Sequence, residues 1–256
     1  MHKIKAFAVR NGMEILRDPL SYIFCVGFPL VMLVVMTLVD RSIPVEAEMT
    51  VFRIDNLAGG IAVFGQMFVM LFTAISVAKD RSGAFLMRMY ASPMQSIDFA
   101  LGYILPMLII ALGQGLLIGF CSFIVSLLTG TELSLAGLAL SLVALLPSGV
   151  LFIALGLLFG TLFNEKSAPG VCSIIISLGS FLGSIWFDAE GTGGVLLKIS
   201  QCLPFHYCTK SVRAAMQLQI DLGALWMPLL VSAVCAALLV VAASVAFRMK
   251  MKADLA

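Results

Sequence analysis

Residue types that could carry out catalysis are sparse in this chain. The only two histidines are His2 and His206, so the sequence contains no HExxH zinc motif. The Lys-Ser pairs at 166–167 and 210–211 lack the glycine that precedes the lysine in a phosphate-cradling loop. No base lies within the apolar stretches to activate a serine nucleophile. We therefore predict no catalytic site, no metal ligands and no cofactor bound by this chain.

Composition indicates which kind of protein this is. Charged residues make up 12% and hydrophobic residues 61% of the 256 positions, whereas an ordinary globular domain has roughly 25% charged residues. A soluble fold this apolar could not cover its surface with polar groups. The net charge of +2 is too small for the strong basic patch that nucleic-acid binding requires. The composition therefore favours a membrane protein that does not bind nucleic acid.

The 16 basic and 14 acidic residues lie between six uncharged apolar runs. Each run reaches the roughly 20 residues that cross a hydrocarbon core as a helix, and a backbone in lipid must satisfy its own hydrogen bonds. We therefore predict an all-α polytopic membrane protein, with residues 1–19 at the membrane surface and residues 20–256 as one six-helix transmembrane domain. The runs are Leu20–Val39, Leu57–Ala78, Phe99–Thr129, Leu133–Phe163, Ala168–Phe187 and Gly223–Phe247.

Lysine and arginine positions predict the orientation of these spans. Eleven of them lie in the N-terminal segment, in the loops after the second and fourth runs, and in the C-terminal tail, against five on the other side. Loops rich in Lys and Arg stay in the cytoplasm. The prediction is therefore a multi-pass protein of the plasma (bacterial cytoplasmic) membrane with both termini in the cytoplasm.

The N-terminal segment is amphipathic at the helical period. Its charged side holds Lys3, Arg10, Glu14 and Arg17. Lys5 intrudes on the apolar side, which holds Ile4, Ala8, Val9, Ile15 and Leu16. Such a helix fits the membrane interface, and Pro19 ends it because proline disfavours helix at the preceding residue. Two interpretations remain open, a simple membrane anchor or an elbow helix that also contacts a cytoplasmic partner.

A second short helix is predicted at about residues 80–92, between the second and third runs. Arg81 and Arg88 share one face, and apolar residues including Leu86 share the other. Pro93, after Ser92, ends the helix. The segment is either a connector lying on the bilayer or a helix that offers one face to a protein below the membrane.

The external segment at about residues 188–222 carries apolar residues along its whole length, but it also has too many polar residues to span the membrane. Glycines and Pro204 divide it, which predicts two short helices that either dip into the outer leaflet or lie flat on it. Cys202 and Cys208 share this segment, where an oxidising compartment would permit a disulfide without requiring one.

Polar side chains inside the runs are neutral. Gln66 and Gln114 lie in the second and third runs, and four serines of the fifth run share one helical stripe: Ser173, Ser177, Ser180 and Ser184. Small and neutral polar residues are typical of helix packing in membranes, so these residues form either packing contacts or a translocation path. Ion-coupled transport usually needs ionisable groups in the membrane, and their absence from the runs disfavours it.

Three short motifs, taken in order, resemble the membrane subunit (permease) of the type-2 ABC exporters, also called type V exporters. The motifs are Arg17-Asp18-Pro19 followed by Phe28-Pro29; Asp80-Arg81, Gly83, Leu86 and Ser92-Pro93; and Leu203-Pro204 followed by Arg213. Asp80 stands where the family pattern more usually has glutamate. The resemblance covers nearly the whole chain.

This resemblance implies a dimer of six-helix permeases, homodimeric or paralogous, above two copies of an ATPase subunit that binds ATP and Mg. The elbow and coupling helices would receive the ATPase motion, and the external re-entrant helices would form an outer gate that includes Pro204, Phe205 and Arg213. The implied coupling residues are Arg10, Glu14, Arg17, Asp80, Arg81, Gly83, Leu86, Arg88, Ser92 and Pro93. The neutral, methionine-rich interior favours export of a hydrophobic or amphipathic substrate, such as a drug, an antibiotic peptide or a lipid-like compound. The alternative is a membrane scaffold or sensor that does not transport.

Overall fold

The computed structural model describes residues 2–44, 50–83, 96–131 and 133–254, and within these ranges the chain forms helices and no strands. In chain order the helices are α1 (His2–Leu16), α2 (Pro19–Ser42), α3 (Ile54–Ser82), α4 (Ser96–Thr129), α5 (Leu135–Leu162), α6 (Ala168–Leu182), α7 (Ala189–Thr192), α8 (Gly194–Gln201), α9 (Pro204–Met216) and α10 (Met227–Asp254). We call the end of the bundle near α1 and residues 79–83 the basal end, and the end near residues 50–56 the distal end.

Five of these helices are long and apolar enough to cross a membrane: α2, α3, α4, α5, and α10 with the turn before it. The run at 168–187 was predicted as a sixth span, but α6 has 15 residues. At 1.5 Å per residue it is about 22 Å long, short of a hydrocarbon core of about 30 Å. The chain leaves the helix after Leu182, and Ser184 adopts a left-handed conformation with φ of 59°. The count of six spans is therefore not confirmed.

The first and last spans share a structural feature near their starts, a π-helical turn shortly before a proline. A π-helical turn at Ile23–Gly27 precedes Pro29, and another at Leu222–Trp226 precedes Pro228. Proline cannot donate a backbone hydrogen bond, and a π turn is one of the local features that accompany kinks. The proline positions in the apolar runs therefore mark real irregularities at the starts of α2 and α10.

Helix α3 forms the centre of the bundle and is mostly buried, whereas α2 and α10 are mostly exposed. Its closest neighbour is α5, and the two helices touch through glycines of α5 spaced four apart. A Cβ atom at Gly156 would collide with the carbonyl oxygen of Met70, and one at Gly160 would lie 2.5 Å from that of Ala74. The small-residue spacing read from the sequence thus corresponds to a close helix–helix contact.

The external segment forms three helices, α7, α8 and α9, where two were predicted. Helix α9 is mostly buried and packs against α3, α5 and α10. Cys202 and Cys208, which the sequence left open as a disulfide pair, are separate free thiols, the first exposed and the second buried. Burial raises the pKa of the Cys208 thiol, which disfavours its reactive thiolate form.

Candidate functional site at the basal helix junction

Helix α1 docks on the bundle through residues spaced four apart. Phe7, Asn11 and Ile15 are buried, whereas Val9 and Leu16, which the sequence placed on the apolar side, are 52% and 54% exposed. The buried stripe therefore agrees with the predicted apolar side at Ile15 and differs from it at Val9 and Leu16. The sequence does contain a signal for this buried face: Phe7, Asn11 and Ile15 are spaced four residues apart, which places them on one side of a helix.

The docking partner is the first third of α4. The Phe7 ring lies edge-on to Phe99 and Tyr103, with ring centroids 5.8 and 5.1 Å apart. Gly102 lies under the same ring, where a Cβ atom would collide with Phe7. The absence of a side chain at Gly102 thus creates the notch that receives α1.

A proline in α4 provides a second point of attachment. Pro106 has no backbone N–H and leaves the carbonyl four residues earlier, that of Gly102, without its helical donor. Asn11 Nδ2 donates to this oxygen at 3.1 Å. Gly12 lies directly over Pro106, and a Cβ atom added to Gly12 would be 3.3 Å from the Cβ atom of the proline. The proline thus opens a hydrogen-bonding position for a side chain of α1.

A partly buried ion pair joins α1 to the basal end of α3. The Arg10 guanidinium donates to both carboxylate oxygens of Asp80, at 2.6 and 2.9 Å, and Tyr103 Oη donates to the same carboxylate at 2.7 Å. Asp80 is 5% exposed and Tyr103 is fully buried. Burial lowers the pKa of Arg10, but the hydrogen bond and charge of Asp80 outweigh this effect and raise it above its ordinary value. Arg10 therefore stays charged in this site.

Two further ion pairs surround this contact on the exposed side. Glu14 accepts from Arg10 at 2.9 Å and from Lys79 at 3.0 Å. Exposed pairs of this kind contribute about 0–1 kcal/mol each, so the buried carboxylate is the main contact. We call Arg10, Glu14, Lys79, Asp80 and Tyr103 the junction cluster. Moving α1 requires either breaking this cluster or moving the ends of α3 and α4 with it.

Arg81 points toward α5. Its Nη1 donates to the carbonyl oxygens of Gly160 at 3.0 Å, of Thr161, and of Phe163 at 3.4 Å. These carbonyls belong to the end of α5, where no helical N–H follows to bind them, and a cation there also complements the helix dipole. The sequence prediction placed Arg81 on a face shared with Arg88 for a partner, whereas its head group caps α5.

The other predicted coupling residues divide into three groups. Arg10, Glu14 and Asp80 belong to the junction cluster, and Arg17 is exposed outside it. The N–H of Gly83 donates to Lys79 at 3.1 Å as α3 ends. The remaining predicted residues, Leu86, Arg88, Ser92 and Pro93, lie outside the described residues.

Sequence reasoning missed Asn11, Tyr103 and Lys79 as members of this site. Tyr103 sits within an apolar run, where nothing in the sequence distinguishes its hydroxyl from that of a packing tyrosine. Lys79 is adjacent to Asp80, but in the sequence it indicates only the orientation of the membrane spans.

The two glutamines of the interior have different surroundings. Gln66 Nε2 donates to the carbonyl oxygen of Leu145 at 2.9 Å, and its Oε1 accepts from Ser148 at 2.7 Å. Gln66 therefore fastens α3 to α5. Gln114 is 3% exposed and lies against Gly65, and neither of its amide atoms has a hydrogen-bond partner among the described residues.

The four serines of α6 and the turn after it do not share one environment. Ser173 and Ser177 are exposed, while Ser180 and Ser184 are buried. Ser184 lies beyond the end of α6, with its Oγ 3.1 Å from His206 Nδ1. Ser184 is therefore not part of the predicted stripe, because the helix ends at Leu182, and the three serines on α6 itself differ in exposure.

Gln114 and the serines of α6 lie on different sides of α3. Gln114 contacts α3 at Gly65, whereas Gly179 of α6 lies near Met67. Positions two residues apart on a helix are about 200° apart. The structure of one protomer therefore does not bring Gln114 and the serines into one path.

At the distal end, the predicted gate residues anchor α9. Pro204 is in its first turn, and Phe205 stacks on Phe152 of α5 with ring centroids 5.6 Å apart. Arg213 donates to the backbone oxygens of Asn56 at 2.9 Å and Ile185 at 3.3 Å. These contacts join α9 to the start of α3 and to the chain after α6.

A polar cavity of about 210 Å³ lies beside Arg213, lined in part by Asp188, His206 and Lys210. His206 was not singled out from the sequence as a member of this region. Within the part of the chain that the structure describes, no three His, Cys, Asp or Glu side chains are grouped to hold a metal ion.

A protein-family model described as ABC-2 type transporter matches residues 2–217. The matched range contains all of α1, the junction cluster and α9. No curated protein matches the chain significantly.

Proposed function

The chain belongs to the ABC-2 type transporter family, and from this premise we propose that it is the permease subunit of an ATP-driven exporter. The substrate is a hydrophobic or amphipathic compound, taken from the cytoplasm or the inner leaflet. ATP and Mg bind to a separate ATPase subunit, present in two copies, and the permease acts with a second permease copy. Membership of the family makes the chain a multi-pass membrane component of a transporter.

The junction cluster is the observation that carries the proposal for coupling. Arg10 is joined by two hydrogen bonds to Asp80 of α3, and Tyr103 of α4 binds the same carboxylate. A force applied to α1 therefore reaches two long helices through one buried contact. This arrangement suits a helix that receives motion from an ATPase below the membrane.

The chemistry of the bundle interior supports an external energy source. Among the buried side chains of the described residues, the ionisable groups other than cysteine thiols are Asp80 and Tyr103, which meet at the basal end, and His206 in α9. The polar residues midway along the spans, such as Gln66 and Gln114, are neutral. Coupling to an ion gradient usually requires a charge that binds and releases ions within the membrane. An uncharged interior also suits an apolar substrate.

In this proposal the basal end faces the cytoplasm and α9 belongs to the outer gate. ATP closes the two ATPase subunits, which push on α1 and on the segment after Gly83. The permease dimer then shifts between two states that bind substrate differently, since a ligand drives a change only through different affinities for the two states. The contacts of Arg213 with Asn56 and Ile185 would change as the gate opens.

The test is reconstitution of the full chain with its ATPase in lipid, with ATPase rate and substrate transport measured over a panel of compounds. We expect stoichiometric co-purification and substrate-stimulated hydrolysis. Arg10→Glu should abolish the stimulation, whereas Lys166→Gln, at an exposed basal residue outside the cluster, should retain it. Absence of an ATPase partner would contradict the proposal. Co-purification with no transport of any compound would indicate the scaffold function.

A further inference from the structure

An apolar groove of about 850 Å³ runs between α1 and α4. It lies on the side of α1 roughly opposite Arg10 and Glu14, and it plays no part in the junction cluster. Its walls include Val9, Met13, Leu16, Leu105, Ile109 and Ile110. The volume is within the range of about 300–1,000 Å³ that small-molecule sites occupy.

Lys5 is the single charged residue among those that line the groove. It is exposed and forms no ion pair among the described residues. Lys5 was also the residue that interrupted the apolar side of the N-terminal helix in the sequence. Neither the packing of α1 nor the junction cluster accounts for a lysine at this position.

The groove has a direction, which the contacts of α1 with α4 define. Phe7 contacts Phe99, and Gly12 contacts Pro106, so the two helices run the same way along their contact. Lys5 therefore marks the end of the groove near the start of α4. Ile109 marks the other end, further into the apolar span.

We propose that this groove binds an anionic phospholipid of the leaflet at the basal end. The acyl chain lies between Met13 and Ile109, which are 45% and 72% exposed, and the phosphate of the headgroup binds Lys5. Charge at the surface end and apolar side chains toward the bilayer match the polarity of such a lipid along its length. A lysine close to an anionic leaflet attracts its headgroups, and Lys5 has no ion-pair partner among the described residues.

The site also bears on how α1 is held. Gly12 and Pro106 line the groove, and the adjacent Asn11 binds Gly102. Both walls exist only when α1 is docked on α4, so a lipid bound there stabilises the docked arrangement through its preference for that state. This inference does not depend on which substrate the protein moves.

Quenching of an introduced tryptophan by brominated lipid tests the site. The full-length Trp186→Phe/Trp226→Phe chain, with Leu105→Trp added, is placed in phosphatidylcholine bilayers with a low fraction of brominated phosphatidylglycerol or brominated phosphatidylcholine. Val241→Trp is the matched control. The rings of Phe247 and Phe99 are in contact, with centroids 5.6 Å apart. Positions 241 and 105 each lie six residues from this contact toward the middle of the membrane, so the two probes are at similar depths. Ile109→Trp is a second probe in case Leu105→Trp fails to fold.

We expect brominated phosphatidylglycerol to quench at position 105 with an about five-fold preference over phosphatidylcholine, which corresponds to the roughly 1 kcal/mol of one lysine near an anionic surface. Lys5→Gln should abolish the preference at position 105 and leave the quenching at position 241, on the helix that carries Arg248 and Lys250, unchanged. Equal quenching by both lipids at positions 105 and 109 would overturn the proposal. So would a preference that survives Lys5→Gln, or protection from both lipids, which would indicate that protein covers the groove.

Discussion

Asn11 of α1 donates its side-chain amide to the carbonyl oxygen of Gly102, the one carbonyl of α4 that Pro106 leaves without a helical donor. A helix defect and a side chain of another helix thus complete each other. The position of α1 is set by this hydrogen bond together with the ion pair between Arg10 and the buried Asp80.

We predict that Asn11→Ala lowers the free energy of unfolding by about 1–3 kcal/mol, because it leaves a buried carbonyl without a donor. In a Pro106→Ala background the helix supplies its own N–H to Gly102, so the same substitution should cost much less. Equilibrium unfolding of the four chains in detergent measures this double-mutant cycle. An equal cost of Asn11→Ala in both backgrounds would show that the hydrogen bond to Gly102 is unimportant.

Tyr103→Phe should lower the free energy of unfolding by about 1.5–3 kcal/mol, since it removes a buried hydrogen bond to the charged Asp80. The ring packing on Phe7 is kept. Tyr22→Phe is the matched control, because the Tyr22 hydroxyl is exposed and binds only the backbone oxygen of Leu16. Its cost should stay within about 0.5 kcal/mol. Thermal unfolding of both variants under the same conditions compares them, and equal losses would contradict the importance of the junction cluster.

Arg81→Ala should loosen the end of α5, because the carbonyls of Gly160, Thr161 and Phe163 lose their shared donor. Hydrogen exchange of the last turn of α5 should accelerate while exchange in the middle of α5 stays unchanged. Arg81→Lys should restore only part of the protection, since an ammonium lacks the planar fork of a guanidinium. Unchanged exchange at residues 158–162 in Arg81→Ala would disprove the cap.

Gly156→Ala should lower the free energy of unfolding of the bundle by about 1–3 kcal/mol, the usual cost of overpacking. The new methyl group would meet the backbone of Met70, which cannot move independently of α3. Gly113→Ala, at a helical glycine with open space around it, should instead be neutral or raise stability by about 0.5–1 kcal/mol. Chemical unfolding of the two variants checks the difference, and matching effects would contradict close packing of α3 on α5.

The two buried glutamines should respond differently to substitution. Gln66→Leu removes two buried hydrogen bonds between α3 and α5, at a cost of about 1–3 kcal/mol, although Ser148 Oγ keeps its 3.1 Å hydrogen bond to the carbonyl oxygen of Leu145. Gln114→Leu should leave stability nearly unchanged, because neither amide atom of Gln114 is hydrogen-bonded among the described residues. Unfolding measurements on both variants test this. A large loss with Gln114→Leu would mean that its amide has a partner, such as a buried water.

Residue type and spacing predicted the all-helical membrane architecture, because the length of the uncharged apolar runs determines which segments can cross a membrane as helices. The motif resemblance also selected Arg10 and Asp80 as candidates. Their pairing across 70 positions could not be predicted from local pattern, since it depends on how α1 packs against α4. The same is true of Asn11, whose partner exists only because Pro106 removes a donor from another helix.

The errors at the other end of the bundle have a local cause. Leu182 ends α6 because Ser184 adopts a left-handed backbone, a conformation uncommon for residues other than glycine. Neither hydrophobicity nor spacing indicates such a break, so the sequence pattern continued the helix and its serine stripe through it. The cap that Arg81 forms on α5 could not be predicted either, because the face of a short segment does not determine where a long side chain reaches.

The order of synthesis gives the docking of α1 a consequence for assembly. Arg10 must meet Asp80, and Asn11 must meet Gly102, 91 residues later in the chain. Since the N-terminus leaves the ribosome first, α1 emerges long before the notch at Gly102 exists. Helix α1 is therefore made well before its docking site, and it can be seated only once α4 has been made.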